Sequence, residues 1–403
     1  MFREDATVMG DDDKDNLTGS FVGLRVMDFS TTIAGPHCAR MLADLGAEVI
    51  KIESAEGETM RIRPPVRNGC STAFGQLNVG KKSLVLDLKS EDGWNAIRRL
   101  VGRADVLVEN FRPGVMRRLK LDYARLAELN PRLVYCSISG YGQTGPSAGL
   151  SAYAPVIHAA SGYEMAHLAH QSGRTRPDNC GIYHADVLSG VYAFGAIGAA
   201  LYQREKTGRG QQIDVSMLEA MLSLTLNEVQ WSQFETKPFQ RAVFGPIQTT
   251  DGYVMVAIAS EKTFQGLMQA IGRPEGIDDP RFARYVERRK NWADLMDGVE
   301  SWSRSVTTAQ CLAALATEGV PSAAYRTVKE ALQDPQLAHR GALVEVEDGG
   351  GSFKVLNQPF RMSGAKVAAG RKMATLGEHT RALLQESGLP EQEVAAFSSK
   401  SIG

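Results

Sequence analysis

From residue 22 onward, short apolar runs alternate with stretches whose apolar residues recur at helical spacing. Residues 22–29 read as a strand, 30–36 as a turn of small residues, and 37–45 as a helix ended by Gly46. Residues 47–53 give the next strand. The pattern then repeats: strand 83–88, a helix capped by Ser90 with Glu91 and Asp92 in its first turn, strand 105–109, a short helix 113–119 and strand 132–139. Strands separated by helices imply parallel βαβ units, hence a sheet covered by helices. Ligands of such sheets bind beyond the carboxyl ends of the strands, where the loops 30–36, 109–114 and 139–146 fall.

A second pass starts at Asp186, which opens a long helix ended by the 206–210 segment KTGRG. Strand 211–215 and a helix over 217–231 follow. Beyond residue 234 the pattern is irregular until strand 253–259, with helices near 261–271, 290–303 and 308–317. The tail, 342–393, returns to a strand and a final helix over 376–386. The expected organisation is a leader over 1–19, a large α/β domain with a parallel sheet formed by 20–231 and 341–403, and a smaller α+β domain over 232–340. The leader, with Asp11, Asp12, Asp13, Lys14 and Asp15 and little apolar content, is expected to be disordered.

Composition narrows the function. Apolar residues make up 43% and charged residues 23% of 403, the profile of a globular cytoplasmic protein. A net charge of −1 argues against a broad nucleic-acid or membrane surface. The five cysteines are scattered, with no CxxC pair and no zinc spacing, and read as reduced thiols. The most apolar stretch, 187–202, is shorter than the roughly 20 residues of a bilayer span and reads as a buried helix.

Several residues carry candidate chemistry. The turn Thr32-Ile33-Ala34-Gly35-Pro36 lets a ligand approach the backbone and a helix N-terminus, but it is not the dinucleotide GxGxxG fingerprint. Asp186 has two readings. It is either the helix N-cap or an ionised carboxylate, kept charged by the helix dipole, that attacks a thioester carbonyl. Gly190, Gly195 and Gly198 on the same helix imply close packing, since each costs about 1 kcal/mol against Ala. Arg117, Arg118 and Lys120 offer charges to a phosphate or to solvent. His158, His167, His170 and His184 form no metal-ligand pattern and read as surface or pocket polar residues.

In this order the segments resemble the class III CoA-transferase family (the CaiB/BaiF type). The matches are LRVMDF at 24–29, AGP at 34–36, LADLGAEVIKIE at 42–53, NVGKKSLVLD at 78–87 and ADVLVENFRPG at 104–114. Residues 129–145, Ser161-Gly162, Asp186 to Gly190 and REKTGRGQQIDVSMLE at 204–219 complete the set.

The resemblance implies a Rossmann-like large domain with a smaller one, and an interlocked homodimer. It implies that Asp186 is acylated to a mixed anhydride and then becomes an aspartyl-CoA thioester, so that CoA passes from an acyl-CoA donor to a carboxylic acid. It places Ile33, Ala34, Ser54, Leu86, Lys89, Asn110, Phe111 and Arg118 at CoA-contact positions, with Arg118 at a phosphate. CoA is then substrate, with no permanently bound cofactor or metal.

Two alternatives stand beside transfer. A 2-methylacyl-CoA racemase needs a His-Asp pair, where this chain has Ala152-Tyr153-Ala154-Pro155, which favours the transferase. A catalytically silent CoA-binding protein is the other. The glycine run of formyl-CoA:oxalate members is absent from 241–248, which counts against oxalate as acceptor. Arg174, Arg176 or Arg241 could bind the second carboxylate of a diacid such as succinate or a C5 diacid.

Overall fold

A computed structural model describes residues 18–171, 173–234 and 245–400. The expected leader therefore lies almost wholly outside the described residues, as do Arg241 and the three residues after it. The chain forms two compact units, one up to Gln233 and from Ala338 onward, the other Phe234–Leu337.

The larger unit is built on six parallel strands: β1 (Arg25–Asp28), β2 (Glu48–Glu53), β3 (Lys82–Val85), β4 (Val106–Glu109), β5 (Val134–Ser139) and β6 (Gln212–Ser216). Their order across the sheet is β3-β2-β1-β4-β5-β6. This is the order of Rossmann-like sheets, and it reverses between β1 and β4, where such folds open a crevice. β1, β4 and β5 are buried along almost their whole length, as a sheet covered on both faces requires.

The helices follow from local signals. α1 (Ala34–Asp44) starts directly after the small-residue turn, and Gly46 beyond it takes φ +97°. α2 (Glu91–Val101) is capped by Ser90, whose hydroxyl accepts the Gly93 N–H at 3.0 Å. α3 (Val115–Arg118) is a single turn after β4. α4 (Ala154–Ala160) and α5 (Tyr163–Leu168) precede the long α6 (His184–Thr207), which Gly208 ends at φ +72°. The expected single helix over 217–231 is two, α7 (Met217–Leu222) and α8 (Leu226–Trp231). The Ser223 and Thr225 hydroxyls bond the Ala220 and Leu222 carbonyls and break it there.

α6 corrects the expectation of a fully buried helix. Ala185, Ser189, Gly190, Ala193 and Ile197 face the core, but Val187, Val191, Tyr192 and Tyr202 are exposed. α6 is long and apolar enough to cross a membrane by length and composition, a test that core helices also pass.

The tail is richer than one strand and one helix. Leu343–Asp348 and Gly351–Leu356 form a hairpin, and the helices Thr380–Glu386 and Glu391–Lys400 follow. This segment covers the outer edge of β3. His379 Nδ1 accepts the Ser83 N–H (3.3 Å), the His379 N–H bonds Ser83 O (3.0 Å), and Thr380 Oγ1 accepts the Val85 N–H (3.0 Å). An edge strand's open groups are thereby paired within the chain.

The smaller unit pairs strands Ile247–Gln248, Tyr253–Val256 and Ser322–Ala324 in an antiparallel sheet. Its core includes Val254, Val256, Phe264, Leu267 and Val299.

Candidate functional site: the seam between the first and fourth strands

The turn 30–36 sits at the seam and is held from below by buried charge. Asp28 Oδ1 accepts the Ser30 N–H at 3.0 Å, and Lys51 Nζ donates to the Ser30 carbonyl at 2.9 Å. Lys81 Nζ reaches Asp28 Oδ2 at 2.8 Å and Pro36 O at 2.9 Å, and Lys51 pairs with Glu58 at 2.5 Å. Despite burial, Lys81 and Lys51 hold the Asp28 carboxyl below its usual range, while desolvation pushes Lys81 down to about 8.

From the side, Asn110 clasps Thr31. Its Oδ1 accepts the Thr31 N–H at 2.9 Å and its Nδ2 donates to the Thr31 carbonyl at 2.8 Å. Thr32 has φ +70°, an unfavourable conformation for a β-branched residue, and its N–H donates to Glu58 Oε1 at 3.3 Å. Such strain is kept where a site over-determines it.

α6, the helix that carries Asp186, meets this turn at Gly190, while Asp186 itself is not among the residues lining the cavity beyond β1, β2 and β3. Gly190, one helical turn on, lies where a β-carbon would be 2.7 Å from Ala34 O and 3.2 Å from His37 Cδ2. Gly195 and Gly198, expected to be packing positions too, have nothing within 4 Å of such a carbon. Nor is Asp186 the N-cap. It is the third residue of α6, and no side chain of the preceding Tyr183 caps the helix. The carboxylate is half-buried, and burial pushes its pKa up to about 6. At pH 7 the ionised form still dominates, roughly ten to one.

A cavity of about 710 Å³ opens beyond β1, β2 and β3, within the range of small-molecule sites. Ser54, Leu86, Lys89 and Phe111 line it, with Phe29, Thr31, Leu119 and Phe397. Asn110 stands beside it through Thr31. Ile33 and Ala34 are buried and absent from its lining, and the Ile33 side chain packs with Met60, Phe74, Leu77 and Met373. Arg118 is exposed on α3, outside the lining.

One titratable group escaped the sequence, and the surroundings of a second differ from those expected. Glu109, at the end of β4, lines a second cavity of about 520 Å³ with Asp122, Tyr135, Ser137 and Asp214; burial pushes it up to about 7. Its carboxylate accepts the Phe111 N–H at 2.9 Å and so shapes the loop that carries Asn110. His158, expected at the surface or in a pocket, is 1% exposed and bonds the backbone next to Asp186. Of His167, His170 and His184, none joins a metal-binding group among the described residues.

The chain matches the model of CoA-transferase family III over residues 21–380. It is 36% identical to an acetyl-CoA:oxalate CoA-transferase of Acetobacter aceti, over 93% of this chain and 97% of that one. It is 32% identical to a succinate–glutarate CoA-transferase of Agrobacterium fabrum, again over 93% and 97%. The solved structure of a CaiB/BaiF family protein from Brucella suis superposes with a TM-score of 0.80 at 32% identity, covering 92% of this chain and 100% of that one. With a parallel sheet that reverses beside a cavity, and a match over most of its length, the chain belongs to CoA-transferase family III.

Proposed function

We propose that the protein passes CoA between carboxylic acids through covalent intermediates on Asp186. The supporting observation is a half-buried carboxylate on a helix that Gly190 seats directly against the turn at the strand-order reversal. The Asp186 carboxylate adds to the donor's thioester carbonyl and the C–S bond breaks, giving a mixed anhydride and CoA thiolate. The thiolate attacks the aspartyl carbonyl, releasing the donor acid and leaving an aspartyl-CoA thioester. The acceptor carboxylate then displaces the thiolate, forming a second anhydride. Thiolate attack on the acceptor's acyl carbon makes the new acyl-CoA and frees Asp186. No net proton is consumed, and no step calls for a resident cofactor.

CoA would occupy the 710 Å³ cavity, against Ser54, Leu86, Lys89 and Phe111, with Asn110 holding the Thr31 turn and Arg118, next in the chain to the lining residue Leu119, meeting a phosphate. Ile33 and Ala34 would then meet the ligand through their backbone. The names of the relatives, which include succinate, glutarate and oxalate, support a dicarboxylate acceptor. Arg174 and Arg176 are exposed candidates for its far carboxylate, although Arg174 is paired with Asp178.

The exposed Val187, Val191, Tyr192 and Tyr202 on α6 support a homodimer, interlocked as the resemblance implies, and the globular composition supports the cytoplasm as its compartment. Racemisation is disfavoured because the stretch Ala152-Tyr153-Ala154-Pro155 carries no His-Asp pair and His158 is engaged in the core.

The test is to incubate the protein with succinyl-CoA, add hydroxylamine or borohydride, and map the modified residue. Modification at Asp186, with transfer to glutarate or oxalate in an acceptor screen, supports the proposal. Full activity in Asp186→Ala sinks it. Deuterium wash-in at an α-carbon without acceptor points instead to racemisation.

A further inference from the structure

The first N–H groups of a helix have no partner within it and must be satisfied from outside. In α6 the Ala185 N–H, one residue before Asp186, finds its acceptor 27 positions back in the chain. His158 Nε2, on α4, accepts it at 3.2 Å. His158 is 1% exposed and Ala185 0%, so the bond lies in the core, where no water can replace it. The ring sits against His184 and Tyr163, at centroid distances of 5.5 and 6.0 Å. On the other side of the same turn, Ser189 Oγ lies 2.7 Å from Ala185 O and 3.1 Å from Asp186 O. Side chains thus hold the backbone before and after the proposed nucleophile.

We infer that His158 is a positioning residue for Asp186, fixing the first turn of α6 through the Ala185 N–H and thereby the direction of the carboxylate. The inference rests on Asp186 being the nucleophile. Accepting through Nε2 requires a neutral ring with its hydrogen on Nδ1. Burial and the neighbouring His184 both push the imidazole pKa down, which keeps it neutral. Nδ1 has no hydrogen-bond partner among the described residues. A buried N–H left without an acceptor is costly, and a leucine of similar volume would pack there without it. The acceptor nitrogen is what a leucine cannot supply. With Nε2 committed to the backbone and the ring sealed from solvent, His158 acts on Asp186 and not on the substrate.

Two substitutions in the full-length protein separate acceptor from filler. His158→Gln retains an oxygen that can accept the Ala185 N–H, and His158→Leu keeps bulk alone. Turnover is followed with succinyl-CoA and glutarate, or with the pair the acceptor screen selects, together with the rate of hydroxylamine-trapped adduct at residue 186. Misplacing a reacting group by about 1 Å costs on the order of 100-fold. H158L is therefore expected to lose roughly that factor in kcat and in adduct formation, with KM for the acyl-CoA within about twofold. H158Q is expected to restore kcat to within about fivefold of the original. Should H158L fail to fold, the more adaptable H158M takes its place.

The inference is overturned if the apolar variant keeps its kcat, or if H158Q falls as far as the apolar variant does. D186A distinguishes the two levels. An inactive D186A beside an intact H158L sinks only the role of His158, whereas an active D186A sinks the nucleophile and this inference together.

Discussion

Gly190 and Ala34 touch through a contact that only a missing side chain permits, since a β-carbon at Gly190 would stand 2.7 Å from the Ala34 carbonyl oxygen. The obstacle is backbone, which cannot rotate aside, so Gly190→Ala must lift α6 off the turn. Overpacking of this kind costs about 1–3 kcal/mol. The expected outcome is a lowered melting temperature with a larger proportional loss of kcat, read by thermal unfolding and steady-state kinetics.

The ionisation of Asp186 sets two signs. Attack requires the carboxylate, whose pKa is pushed up to about 6, so kcat/KM should fall about tenfold per pH unit below that value. For stability, the native state holds this proton more tightly than an unfolded chain with the ordinary value of 3.8. Ionisation at neutral pH therefore destabilises the fold, by up to about 3 kcal/mol. Asp186→Asn should be inactive yet melt higher at pH 7. Its advantage should fade as the pH drops from about 6 toward 3.8, as melting curves across that window would show.

Lys81→Met leaves Asp28 buried beneath the turn with its closest cation gone. Removing one partner of a buried pair costs about 3–5 kcal/mol. Denaturant unfolding should register that loss, and KM for the acyl-CoA should rise as the Ser30 and Pro36 contacts slacken.

Val191→Glu places a charge on the exposed apolar face of α6. In an isolated protomer a surface change of this kind shifts stability by only about 0.5 kcal/mol. Sedimentation should instead show the proposed dimer replaced by monomer. An unchanged sedimentation coefficient would rule out this face as the contact of the proposed dimer.

The alternation of strand and helix was legible because each unit carries its own punctuation. Ser90 caps α2 as expected and Gly46 turns the chain after α1. The strand order needed the sheet itself, because periodicity says that strands are parallel but not which are neighbours. Asp186 stood out by its place before an apolar helix, yet its proton affinity depends on burial that no local window contains. The histidine that accepts the N–H of the residue before it lies 27 positions back from that residue, and its spacing resembles nothing in particular. Gly190 looked no different from Gly195 and Gly198 until Ala34 was seen beside one of them and open space beside the others.

The outer edge of the sheet is completed by residues far from it in the chain, Ser83 being paired with His379 across 296 positions. During synthesis, β3 leaves the ribosome long before the segment that seals it, and the whole smaller unit emerges in between. Until then its N–H and C=O groups are open to any other nascent chain, an invitation to edge-to-edge association. Expression yield should accordingly depend on chaperone supply, and a chain stopped short of residue 377 should accumulate as aggregate.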